Sequence, residues 1–119
     1  PSLAKIDPVK LEASIIGPIA DAANRKAVFL EGLYYNAMER QLYGSVSFAG
    51  GTASTGLFAL NPSNAVATVV CSGTYDMDSI AFEDDGSLIG FDVFYAGGGS
   101  YNTTVNYLDR STCAADPAF

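Results

Sequence analysis

The sequence predicts an α+β domain in which an N-terminal helical part lies across one face of an antiparallel β-meander. Three observations carry that expectation. The stretch from Pro18 to Tyr43, PIADAANRKAVFLEGLYYNAMERQLY, repeats its apolar residues at helical spacing. After Gly44 lysine disappears, Gly, Ser and Thr become common, and the apolar pattern alternates with period two. Charge divides at the same place. Residues 1–43 hold five basic and five acidic side chains, whereas residues 44–119 hold Arg110 alone against eight acidic ones, so the whole net charge of −7 belongs to the second half.

In chain order, residues 1–6 read as a leader arm. Asp7-Pro8 supplies an N-cap followed by proline at the first helical position, which predicts a short helix from Pro8 to about Ile16. Gly17-Pro18 breaks or kinks it, and Pro18 then opens the main helix, which Gly44 ends. The predicted strands follow. Val46–Ala49 and Leu57–Leu60 flank a Gly-rich loop, and the turn Asn61-Pro62-Ser63-Asn64 leads into Ala65–Cys71, an apolar run suited to a central strand. Ser79–Phe82 and Leu88–Ala96 flank Glu83-Asp84-Asp85-Gly86-Ser87, a hairpin signal built on Asp-Gly. Tyr101–Leu108 alternates, with Tyr101, Thr103, Val105 and Tyr107 on one face and Asn102, Thr104 and Asn106 on the other. The expectation is one domain over 1–119, divided into an arm (1–6), a helical part (7–43) and a β-sheet part with a C-terminal tail (44–119).

On a helical wheel, Ile19, Ala20, Ala23, Ala27, Leu30, Leu33, Tyr34, Ala37 and Met38 form a broad core-facing side. Val28, Tyr35 and Leu42 recur at intervals of seven on the opposite side, and Phe29 and Tyr43 share a neighbouring column. Exposed apolar and aromatic strips mark interaction sites, so Val28, Phe29, Tyr35, Leu42 and Tyr43 are the predicted subunit interface.

The remaining motifs argue mainly by exclusion. With no histidine in the chain, neither a Ser-His-Asp triad nor a Cys–His nucleophile can form within it. Gly50-Gly51 and Gly97-Gly98-Gly99 match neither a phosphate-binding loop nor a dinucleotide fingerprint. Asp76, Asp78, Glu83, Asp84 and Asp85 are dense enough to suggest Ca²⁺, yet the EF-hand spacing is absent and solvated turn residues explain them. Asp92 would need a burying pocket and a partner to act in acid–base chemistry. No catalytic, cofactor-binding or metal-ligating set is expected. Cys71 and Cys113 are expected to form a disulfide that staples the tail to the middle of the chain, worth roughly 3–4 kcal/mol in loop-closure entropy.

An acidic surface repels phosphate backbones and anionic lipid, and no apolar run has the length of a membrane span. The expected partners are therefore copies of the chain or other structural subunits, with no nucleic acid and no membrane insertion. A helix followed by an antiparallel sheet with a late cysteine, Cys113, resembles the globular part of type IV pilins and pseudopilins. That resemblance is one of architecture, because the family's Phe-initiated apolar segment containing a Glu is missing, and no residue is carried over from it. The functional expectation is a non-enzymatic structural subunit of a self-assembling particle or filament, either a virion coat or decoration protein or a pilin-like subunit. A virion or extracellular setting suits it. The alternative is a secreted ligand- or glycan-binding module that uses the sheet face and its Tyr- and Gly-rich loops.

Overall fold

The computed structural model describes residues 1–46 and 55–116, and every regular element among them is a β-strand. Both predicted helices are corrected by it. The segment read as a helix from Pro8 to Ile16 is a turn leading into β2 (Glu12–Pro18), which pairs antiparallel with β1 (Ser2–Asp7). The main helix from Pro18 to Tyr43 is replaced by β3 (Ala20–Asp21), β4 (Gly32–Asn36) and β5 (Gln41–Val46) with their connections. Met38, on the core side of the helical wheel, is 76% exposed at the β4–β5 turn. The likeness to pilins rested on the long helix and goes with it.

The physical reason lies in one turn used five times. Asp7–Leu11, Asp21–Arg25, Asn36–Arg40, Asn61–Ala65 and Asp109–Cys113 each begin with Asp or Asn and end on a residue in the left-handed region, with φ of 56, 62, 53, 61 and 57°. The opening side chain accepts backbone N–H groups two or three residues on: Val9 at 2.9 Å, Ala23 at 2.6 Å, Glu39 at 3.1 Å, Ser63 at 2.9 Å and Ser111 at 2.7 Å. In four of them the N–H of the last residue also bonds the carbonyl of the first, at 2.7–2.9 Å. This is the first turn of a helix, capped as a helix is capped and then stopped by one left-handed residue. Asp7-Pro8 and the segments DAANR and NAMER therefore carry genuine helix-start chemistry, but each lasts a single turn before the chain returns as a strand.

The second half follows the sequence closely. The strands are β6 (Thr55–Leu60), β7 (Val66–Gly73), β8 (Ser79–Phe82), β9 (Leu88–Gly97) and β10 (Ser100–Leu108). Gly86, at φ 87°, makes the Asp-Gly turn between β8 and β9, closed by the Glu83 N–H to the Ser87 carbonyl at 3.0 Å. Of the predicted strand Val46–Ala49, Val46 ends β5 and the rest lies outside the described residues, as does most of the Gly50–Gly56 loop.

The strands form three sheets: the β1–β2 hairpin, a five-stranded sheet in the order β3-β7-β6-β5-β4, and a three-stranded meander in the order β10-β9-β8. β4 to β7 are antiparallel in succession, and among the described residues only the short β3–β7 pairing is parallel. Alternation along each strand gives the five-stranded sheet two buried faces. Tyr43, Leu57 and Cys71 face the three-stranded sheet and pack with Met77, Ile80, Phe82, Leu88, Leu108 and Cys113. Val46, Leu60 and Ala67 face the other way and pack with Leu3, Ile19, Val28 and Ala65. The two sheets approach closely where β4 passes β8. A Cβ on Gly32 would stand 2.9 Å from the Ser79 Cα and against the Ser45 hydroxyl, so only glycine fits there.

The disulfide forms as expected, joining Cys71 on β7 to Cys113 in the tail. The tail is tied further by the Asp109 N–H to the Ala114 carbonyl and the Asp116 N–H to the Tyr107 carbonyl, at 2.9 and 2.8 Å.

Candidate interaction surface

The predicted interface residues are dispersed once the helix is gone. Val28 and Tyr43 are buried in opposite cores of their own chain, and Leu42 is half-buried against the same core as Val28. Phe29 and Tyr35 remain exposed, Phe29 in the connection before β4 and Tyr35 on β4 itself. The five residues therefore share no single face.

Tyr43 belongs instead to a clamp. The Arg110 guanidinium donates to both Glu39 carboxylate oxygens, at 2.6 and 3.0 Å, and to the Tyr43 hydroxyl at 2.9 Å, while that hydroxyl donates to Glu39. The guanidinium also lies 5.0 Å from the Phe82 ring centroid and 5.6 Å from that of Tyr43. Hydrogen bonding from Arg110, then from Tyr43, holds the Glu39 carboxyl below its usual range, and burial followed by the bond to Glu39 pushes the Tyr43 phenol up. The node ties the tail to the β4–β5 turn and to β8. All of its polar groups satisfy one another, which suits a structural latch.

Asp78 lies between β7 and β8, where its carboxylate accepts the Val93 N–H at 2.6 Å and its own N–H bonds the Phe91 carbonyl. Burial first, and then the charges of Asp76 and Asp78, raise the pKa of Asp92. Among the described residues no three carboxylate, thiol or imidazole groups converge in a way that could hold a metal ion.

The unexpected surface is the outer face of the three-stranded sheet. Alternation along β10 is as the sequence predicts, but its orientation inverts the usual rule that apolar faces point inward. Asn106 and Thr104 point inward, where Asn106 donates to the Tyr75 hydroxyl at 3.1 Å and that hydroxyl bonds the Gly90 carbonyl at 3.2 Å. The apolar set points outward. Register places Tyr101 opposite Tyr95, Thr103 opposite Val93, Val105 opposite Phe91 and Tyr107 opposite Ile89, all on that outer side. Val93, Tyr95, Tyr101 and Val105 are 46, 61, 70 and 58% exposed, and the Tyr95 and Tyr101 rings meet edge to face at 5.4 Å. No residue of these four pairs is charged, in the half of the chain that carries the whole net charge.

A second uncovered apolar face lies on the β1–β2 hairpin. Beyond an irregularity at Leu3/Ala4, the pairs Ala4–Ile15 and Ile6–Ala13 lie on one side and the pairs Lys5–Ser14 and Asp7–Glu12 on the other. Ile6 and Ile15 are 67 and 76% exposed. The hairpin is anchored at its base, where Leu3 and Ile16 pack into the second core and the Ile19 N–H bonds the Pro1 carbonyl at 3.0 Å. Among the described residues β1 and β2 pair in a sheet with each other alone, and Leu3 and Ile16 make the hairpin's packing contact with the rest of the chain.

Neither surface was legible as a site in the sequence. The alternation of β10 was visible, but which face would be covered depends on the Tyr75 network. The hairpin's amphipathic pairing was hidden by the helix-like start at Asp7. No family model, curated protein or solved structure matches this chain.

Proposed function

We propose that this chain is a non-enzymatic structural subunit that assembles with copies of itself through uncovered β-sheet faces. The observation that carries the reading is the outer face of β9 and β10. At Val93, Tyr95, Tyr101 and Val105 it exposes aromatic and aliphatic side chains with no charged residue among them, on an otherwise acidic half, while towards β8 the face is half-buried and the Tyr107 hydroxyl donates to Glu83 at 2.8 Å. Contiguous exposed apolar surface of this kind marks interaction sites, and tyrosine is favoured at their centres. The acidic residues around it favour solubility of the free subunit and of the finished assembly. The clamp and the disulfide support the same reading, since both fix the tail that follows β10 against the five-stranded sheet.

Electron microscopy of the purified protein at micromolar concentration tests this reading. Discrete particles or filaments are expected, and they should be absent from a Val93→Lys/Val105→Lys variant that keeps its fold. A uniform field of single subunits for the unaltered chain would overturn it.

A further inference from the structure

We infer that the β1–β2 hairpin of one copy docks on the outer β9–β10 face of the next, so that subunits join head to tail; this rests on the assembly reading and names the two surfaces involved. An isolated two-stranded hairpin is marginal in water, so a hairpin that turns Ile6 and Ile15 to solvent needs a surface to lie on. The outer sheet face has the matching form. Beyond Phe91, the last residue of β9 that pairs with β8, β9 and β10 continue as a two-stranded ribbon of the same width as the hairpin. Ala4 and Ala13 leave space beside the isoleucines, and Tyr95 and Tyr101 present rings that need such space.

The hairpin's own chain cannot supply the partner face. Its base packs on the side of the five-stranded sheet that carries Val46 and Leu60, while the three-stranded sheet packs on the side that carries Tyr43 and Leu57. The five-stranded sheet stands between the two surfaces, so the occupant is a second copy. Charge selects the same arrangement. Joining two β9–β10 faces symmetrically would bring two acidic halves together, whereas the hairpin belongs to the neutral half and is itself balanced, Lys5 and Lys10 against Asp7 and Glu12. A contact between different surfaces repeats from copy to copy and produces a ring or a filament.

The test pairs an arm variant, Ile6→Lys/Ile15→Lys, with a face variant, Val93→Lys/Val105→Lys. All four side chains are exposed and lie outside both cores, and an intact disulfide with an unchanged circular dichroism spectrum verifies folding. In sedimentation velocity the unaltered chain is expected to form species larger than a dimer. Each variant alone should stay monomeric, with association weakened by about a hundredfold, as expected from losing two apolar contacts. An equimolar mixture should give a dimer and nothing larger, because one intact arm meets one intact face and both outer ends are blocked. Assembly of the arm variant at the strength of the unaltered chain, or a mixture that stays monomeric, would overturn the head-to-tail proposal while leaving assembly standing. An unaltered chain that never exceeds monomer mass would overturn the assembly reading itself.

Discussion

Removing the disulfide with Cys71→Ala/Cys113→Ala is the perturbation whose size can be worked most fully. The bridge closes a loop of sequence separation 42. Loop-closure entropy for that length is about 13 cal/mol/K, or about 4 kcal/mol at room temperature. The effect acts mainly on the unfolded chain, because in the folded state the tail is also held by the Asp109 and Asp116 backbone bonds and by Arg110 on Glu39. The variant should therefore keep its strands and lose stability. With an unfolding entropy of about 2.1 cal/mol/K per residue, the expected fall in Tm is roughly 15 °C. Thermal and urea unfolding at low protein concentration, followed by circular dichroism, measures it, and reduction of the unaltered chain gives an independent value. A loss under about 1 kcal/mol would mean that the bridge does not restrict the unfolded ensemble as its position requires.

Arg110→Ala breaks the clamp and should cost about 1 kcal/mol, a modest figure because the Arg110 and Glu39 side chains remain about one-third exposed. The Glu39 part depends on pH. Its folded pKa lies below its ordinary value, so its contribution is present above about pH 4.5 and is lost as pH falls through the folded pKa. Urea titrations across that range should show this loss in the unaltered chain and a smaller one in Glu39→Gln. Asp92 has the opposite sign: its raised pKa means that its charge opposes folding at neutral pH. Asp92→Asn should raise the unfolding midpoint at pH 7, with the gain vanishing in acid below its ordinary pKa; a lower midpoint at pH 7 would contradict this. Gly32→Ala should cost roughly 1–3 kcal/mol in denaturant unfolding, because the new methyl group meets the Ser79 backbone where β4 passes β8. Ser45→Ala beside it should be neutral or stabilising by up to about 1 kcal/mol, since the buried Ser45 hydroxyl has no hydrogen-bond partner among the described residues.

The sequence was most readable where one signal governs one element. Period-two alternation and the Asp-Gly turn located β8, β9 and β10 nearly to the residue, because a half-buried strand has no other way to arrange its side chains. It misled where two structures share a beginning. Asp7, Asp21 and Asn36 cap a turn of helical backbone, and the end of that turn is set by Leu11, Arg25 and Arg40 entering the left-handed region. Residues with a Cβ disfavour that region, so nothing in their identity announces a stop. The helical wheel then combined residues from β3, the connection and both strands of the β4–β5 hairpin, and placed Val28 and Tyr43 together although they lie in opposite cores. The candidate surface was hidden for a different reason. Alternation shows that Val105 and Tyr107 share a face, but only the bonds from Asn106 and Tyr75 turn the polar side inward.

Whether another subunit covers the outer β9–β10 face can be read from a sedimentation velocity series over increasing concentration that compares the unaltered chain with Val93→Lys/Val105→Lys. The unaltered chain is expected to shift to faster-sedimenting species as concentration rises, while the folded variant stays at monomer mass. Identical monomer boundaries for both proteins at every concentration would contradict it.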